Sequence, residues 1–287
     1  MSACEPVFHI AFYRFVRLAD PAQVADTLRE LTQGLLGVVL VASEGINGTL
    51  AGSAAALDAF ELALGADPRL GGCFAGLAFK RTACRTAPFH KMKVHHRPEI
   101  LPLGVAGVDA VGHAGTQVAP AAWDALIAQP DVVLIDNRNH FEVRLGRFQG
   151  AVDPQVNNFR DFPRYIEAHA AEWKASGRRV AMYCTGGIRC EKTAAWMAGM
   201  GLEVHQLEGG ILHYLAQQPR PASSAWQGEC FVFDNRIALD AALQETGTRA
   251  EDVYAGAPDE QWRLQRARRL AQADPAAADH PQPDDAA

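Results

Sequence analysis

The stretch Arg179-Val180-Ala181-Met182-Tyr183-Cys184-Thr185-Gly186-Gly187-Ile188-Arg189-Cys190-Glu191-Lys192 decides the fold of this chain. Its first five residues have the apolar pattern of a buried strand, and the run from Glu191 to Met200 reads as a helix. Between them lies a short loop that opens on a cysteine, carries two glycines and closes on an arginine. Strand, loop and helix start in that order form an anion cradle. Backbone N–H groups point inward, the helix N-terminus adds a partial positive charge, and Arg189 adds a full one. All three favour thiolate over thiol, so Cys184 is expected to be a nucleophile of depressed pKa. Thr185, Gly186, Gly187, Ile188 and Cys190 complete the loop. Cys190 reads either as a small buried residue, the commoner role, or as a resolving thiol. A reactive cysteine beyond the carboxyl end of a strand is where a parallel α/β sheet places its site.

The Cys-x-x-x-x-Arg spacing is compact and suits a cysteine carrying one extra sulfur atom. Cysteine phosphatases have one more residue there, enlarging the ring for a tetrahedral phosphate. The loop therefore resembles that of rhodanese domains, which hold a persulfide on this cysteine. Upstream, Val132-Val133-Leu134-Ile135-Asp136-Asn137-Arg138 continues through Phe141-Glu142, Gly146-Arg147-Phe148 and Gly150-Ala151-Val152, and is similar to the rhodanese N-terminal signature. Asp136 and Arg138 are expected to support the loop as an ion pair. Downstream, Val204-His205-Gln206-Leu207-Glu208-Gly209-Gly210-Ile211 resembles the closing strand and Gly-Gly turn.

A narrower resemblance spans about Phe8 to Leu239. Cys184 to Lys192, Ser43-Glu44-Gly45-Ile46-Asn47-Gly48-Thr49 and Trp226-Gln227-Gly228-Glu229-Cys230-Phe231-Val232-Phe233-Asp234 together resemble the rhodanese-domain tRNA uridine(34) hydroxylases, the TrhO family. That resemblance implies oxygen-dependent conversion of the wobble uridine to 5-hydroxyuridine, with tRNA bound at its anticodon stem-loop and molecular oxygen as co-substrate. It leaves the electron donor open. Longer relatives carry a cysteine-rich tail, which nothing after Cys230 supplies. A sulfurtransferase carrying a persulfide on Cys184 fits the loop equally well. A third class, a non-catalytic recognition module, has the intact Cys184 and Arg189 against it. For the hydroxylase, two routes stay open: Cys184 adding to C6 of uracil with Arg189 and loop N–H groups stabilising the O4 anion, and an oxidant carried on the sulfur.

Composition sets outer bounds. The 287 residues suffice for two modest domains. No apolar run approaches a membrane span, no secretory signal opens the chain, and six scattered cysteines suit a reducing cytoplasm. The histidines do not fall at metal-ligand spacing, no flavin or haem motif is evident, and no obligate protein partner is indicated. A net charge of −6 does not advertise nucleic-acid binding. The segment Phe79 to Arg97 nevertheless carries Lys80, Arg81, Arg85, Lys91, Lys93 and Arg97 without an acid. Read as a basic stripe with Phe89 inside it, the segment makes these six residues candidates for contacting RNA; the alternative is a solvated strand face.

The expected architecture is α/β. A ferredoxin-like βαββαβ α+β domain, residues 1–97, is followed by a linker with a short helix, 98–129, and a parallel rhodanese-like domain, 130–218. A C-terminal extension, 219–273, and a disordered acidic tail, 274–287, complete it. Within the first domain, Asp20-Pro21 signals a helix start, and Gly45 to Gly48 reads as a turn into a strand at Thr49 to Ala51.

Overall fold

A computed structural model describes residues 6–112, 115–217, 225–256 and 258–272. The first residues of the expected extension, 219–224, and the expected tail, 274–287, lie outside them. The first unit covers residues up to Thr246 and contains two large sheets and two two-stranded ones.

The N-terminal sheet is formed by β1 (Val7–Phe15), β2 (Leu36–Ala42), β3 (Gly45–Gly52), β4 (Lys80–Cys84) and β5 (Met92–His96), in the order β4-β1-β3-β2-β5. The first four pair antiparallel in the order of a ferredoxin-like unit. β5 extends the edge, parallel to β2. Helix α1 (Pro21–Leu31) starts where Asp20 accepts the Gln23 N–H at 2.9 Å, and α2 (Ala54–Ala66) is capped by Ser53. Alternation along β1 separates two faces. Ile10 and Phe12 pack under the helices with Leu28, Leu57 and Phe60, while Tyr13 and Phe15 lie with Ile188 and Ala195 of the second sheet's domain.

The glycines of Gly45 to Gly48 do not make the turn the sequence suggested. Ser43 and Glu44 turn, and the strand begins at Gly45. A Cβ on Gly45 would sit 2.0 Å from the Arg14 carbonyl oxygen, and one on Gly48 would strike the Phe12 ring at 2.4 Å. These glycines serve close strand approach, a use that sequence alone does not separate from turning.

The second sheet, β6-β10-β9-β7, is parallel throughout: β6 (Thr116–Val118), β7 (Val132–Asp136), β9 (Arg179–Tyr183) and β10 (Val204–Leu207). Helices α3 (Pro120–Ile127) and α7 (Gly210–Gln217) cover one face through Trp123, Ile211 and Tyr214. Helices α5 (Phe162–Ala175) and α6 (Ile188–Ala198) cover the other through Ile166, Trp173, Ala194 and Met197. Burial on both faces is what a parallel sheet requires. The segment expected to be a linker thus supplies an edge strand, β6. Three residues of Thr, Gln and Val are too short and polar to announce one.

Between β7 and α5 lie α4 (His140–Leu145) and β8 (Gly146–Phe148). The chain after Ala225 returns to them: β11 (Trp226–Gly228) pairs with β8, and Trp226 meets the Phe148 ring edge-on at 5.3 Å. β12 (Cys230–Phe231) and β13 (Ala238–Leu239) follow. The expected extension is therefore divided, because a second unit begins at Gly247. That unit contains α8 (Ala250–Tyr254) and α9 (Gln261–Gln272), joined by a 3.0 Å Glu251–Arg268 ion pair. No helix among the described residues is long and apolar enough to cross a membrane.

Candidate active site

Cys184 follows the last residue of β9, and α6 starts at Ile188. The turn between them is shaped from below. The Ile211 and Leu212 N–H groups, at the start of α7, donate to the Cys184 and Thr185 carbonyls at 3.0 and 3.2 Å. With those carbonyls held downward, the loop's N–H groups face the sulfur, and Gly187 N–H donates to Sγ at 3.1 Å. Gly187 has φ +99°, and a Cβ there would lie 2.9 Å from the Tyr13 hydroxyl, so both backbone and space demand glycine.

The electrostatics favour the thiolate. Burial alone would push the Cys184 thiol up. The Cys190 thiol, the Arg189 charge and the N–H groups of Cys190 and Arg189 outweigh it and bring it down to about 5. Cys190 moves the opposite way, raised first by burial and then by its bond to Cys184. It is a fully buried core residue and a hydrogen-bond donor to its neighbour.

Arg189 does not point its charge at open space. Its two terminal nitrogens each hold an oxygen of Glu142 at 2.7 Å, and the Glu142 side chain is fully buried. Glu142 also closes a capping box on Asn139 at the start of α4. It lay within the quoted signature without an assigned role. Behind the loop, Arg138 grips Asp136 at 2.8 and 2.6 Å, and the Tyr183 hydroxyl donates to Asp136 at 2.6 Å. Arg138 also spans to the Gly146 carbonyl at 2.6 Å. This pair is buried, and its bond toward the loop is made through Tyr183, the residue before Cys184. Phe233, 58% exposed, lies across the Arg189 guanidinium at 5.7 Å.

The N-terminal domain reaches the same loop. Lys80 Nζ donates to the Gly186 carbonyl at 2.8 Å, and the Tyr13 hydroxyl donates to Glu191 at 2.9 Å. Lys192, on α6, is buried against both Glu44 oxygens at 2.9 Å, Glu99 at 2.5 Å and the Leu101 carbonyl at 2.8 Å. Tyr13 carried no sequence signal, while Lys192 and Glu44 stood in two quoted motifs without an assigned role. A cleft of about 230 Å³ is lined by His9, Lys80, Arg81, Leu212, His213 and Arg236 among others, and by none of residues 184–190. Cys184 is not in its lining and is 1% exposed.

The basic stripe divides. β4 and β5 are opposite edges of their sheet, so Lys80, Arg81 and Arg85 are separated from Lys91, Lys93 and Arg97. Four strand spacings amount to roughly 19 Å. Arg81 pairs with Asp58 and Glu61, and Arg85 bonds the Glu245 backbone. Phe89 packs near the His9 ring at 5.9 Å. Lys91, Lys93 and Arg97 are exposed. Sequence adjacency read as one surface what the sheet order splits in two.

A parallel sheet with a cysteine cradle, docked on a ferredoxin-like sheet, defines a rhodanese-type enzyme with an added N-terminal domain. Family models agree: residues 7–100 match the UPF0176 acylphosphatase like domain and residues 119–217 the rhodanese-like domain. A relative from Mesorhizobium japonicum is 46% identical over 248 residues, covering 84% of this chain and 77% of its own. One from Bradyrhizobium diazoefficiens is 47% identical over 238 residues, covering 82% and 92%. A third, from Synechococcus elongatus, is 46% identical over 238 residues, covering 82% and 86%. All three bear the name tRNA uridine(34) hydroxylase. The chain belongs to the tRNA uridine(34) hydroxylase family.

Proposed function

We propose that this protein hydroxylates uridine 34 of tRNA at C5, with molecular oxygen as co-substrate and Cys184 as the group that engages the base. The observation that carries this reading is the 46–47% identity, over more than four fifths of the chain, to relatives named for that activity. The site supports it: a thiolate is a nucleophile for C6 of a pyrimidine, and Cys184 is held as one near neutral pH. Because Cys184 is 1% exposed, a base meets it only as the loop gives way. Lys91, Lys93 and Arg97, exposed on one sheet edge, are the candidates for contacts to the tRNA backbone.

The test is mass spectrometry of tRNA nucleosides from cells lacking this protein, complemented with wild type or Cys184→Ala. Wild type restores 5-hydroxyuridine derivatives and the variant does not. An unchanged profile on deletion refutes the hydroxylase reading, and sulfur transfer through a Cys184 persulfide then leads.

A further inference from the structure

The cations around the loop differ in one respect. Arg189 is neutralised by Glu142, Arg138 by Asp136, and Lys192 by Glu44 and Glu99. Lys80 has no carboxylate partner among the described residues. Its ammonium group donates to the Gly186 carbonyl, two residues from the sulfur, and lies 5.4 Å from the centre of the Tyr13 ring. The nearby carboxylate, Glu191, is held by the Tyr13 hydroxyl instead.

The sheet register explains the arrangement. Lys80 pairs with Ala11 of β1, which places it diagonally from Tyr13 on the face turned toward the rhodanese domain. A half-buried ammonium without a counter-ion is costly to keep. Burial lowers its pKa, and the Cys184 thiolate and Glu191 act to raise it. Lys80 also lines a cleft of about 230 Å³ together with Leu212, whose N–H holds the Thr185 carbonyl of the loop.

We propose that Lys80 is a substrate-contacting catalytic residue whose ammonium group bears the negative charge arising on O4 of the uracil ring when the Cys184 thiolate adds to C6. The inference rests on the uridine reading above. In the step, an S–C6 bond forms and the C5=C6 electron pair moves onto O4 as an enolate. No electron enters or leaves, and Lys80 donates a hydrogen bond to O4. Arg189 is unsuited to this task because Glu142 already occupies both its terminal nitrogens. When solvent protonates C5, loss of the original C5 hydrogen and of the thiolate regenerates uridine with that hydrogen exchanged.

Exchange needs neither oxygen nor a reductant, and it supplies the test. The full-length protein is incubated anaerobically at pH 8 with an anticodon stem-loop RNA deuterated at C5 of uridine 34, and deuterium loss is followed by mass spectrometry. Wild type is expected to wash out the label. Lys80→Met slows wash-out by about 100-fold, the scale of removing one oxyanion donor, and Lys80→Arg recovers part of the rate. Thermal unfolding and Cys184 alkylation of each variant, read at the same pH, separate lost chemistry from lost fold. Wash-out by Lys80→Met at the wild-type rate overturns the proposal. So does absence of wash-out by wild type, while 5-hydroxyuridine in tRNA from complemented cells still reports on the hydroxylase reading independently.

Discussion

Replacing Glu142 by Gln keeps the shape of the side chain and removes the charge that holds Arg189. In the native protein both guanidinium ends are met at 2.7 Å, with side-chain exposures of 8% for Arg189 and 0% for Glu142. Gln can accept one of those two hydrogen bonds and turns an N–H₂ toward the other donor. The guanidinium is then left buried and half-satisfied, a loss of about 3 to 5 kcal/mol. For a chain of this size that lowers Tm by roughly 10 °C. Asp26→Asn, at the exposed Arg29–Asp26 pair, is the control and leaves Tm nearly unchanged. The pH dependence fixes the sign. Burial opposes the Glu142 charge, but Arg189 and the Asn139 N–H outweigh it, and the carboxyl titrates below its ordinary 4.5. Its stabilisation is therefore complete above that ordinary value and is lost as pH falls through the lower folded value. Calorimetric melts of wild type and variant should differ by a constant amount from pH 7 to pH 5, and the gap should close under stronger acid. A gap under about 1 kcal/mol at pH 7, below the buried-pair range, or one that widens on acidification, refutes the buried-pair argument.

Two further outcomes follow from the loop and its docking. Iodoacetamide alkylation of Cys184 should follow an ionisation centred near pH 5, and Arg189→Ala should move that midpoint upward, while Cys190 stays unreactive through neutral pH. A midpoint near the ordinary thiol value in wild type would show that the cradle does not act on the sulfur. Lys192→Met should destabilise the protein by about 3 kcal/mol in urea melts, since it strips the cation from Glu44 and Glu99 in a part-buried cluster. A variant as stable as wild type would mean that water already solvates those carboxylates.

The sequence by itself determined the elements whose causes are local. The order of strand, cysteine, Gly-Gly, arginine and helix is enough to cradle an anion, because helix-start N–H groups and a left-handed Gly187 act within a few residues of Cys184. The Asp136–Arg138 pair is equally short-range, two residues apart. Tertiary structure alone decided which charges are spent and which are free. Glu142 meets Arg189 across 47 residues, Glu44 meets Lys192 across 148, and Lys80 reaches Gly186 across 106. None of these separations has a periodicity to betray it: Glu142 and Arg189 meet between α4 and α6 of one domain, and the other two pairs meet where the N-terminal domain packs on the cysteine loop and α6. The same limit misread the basic segment from Phe79 to Arg97. Strand order is set by long-range hydrogen bonding and burial, so it sent β4 and β5 to opposite edges and brought one of the six basic residues, Lys80, to the reactive loop.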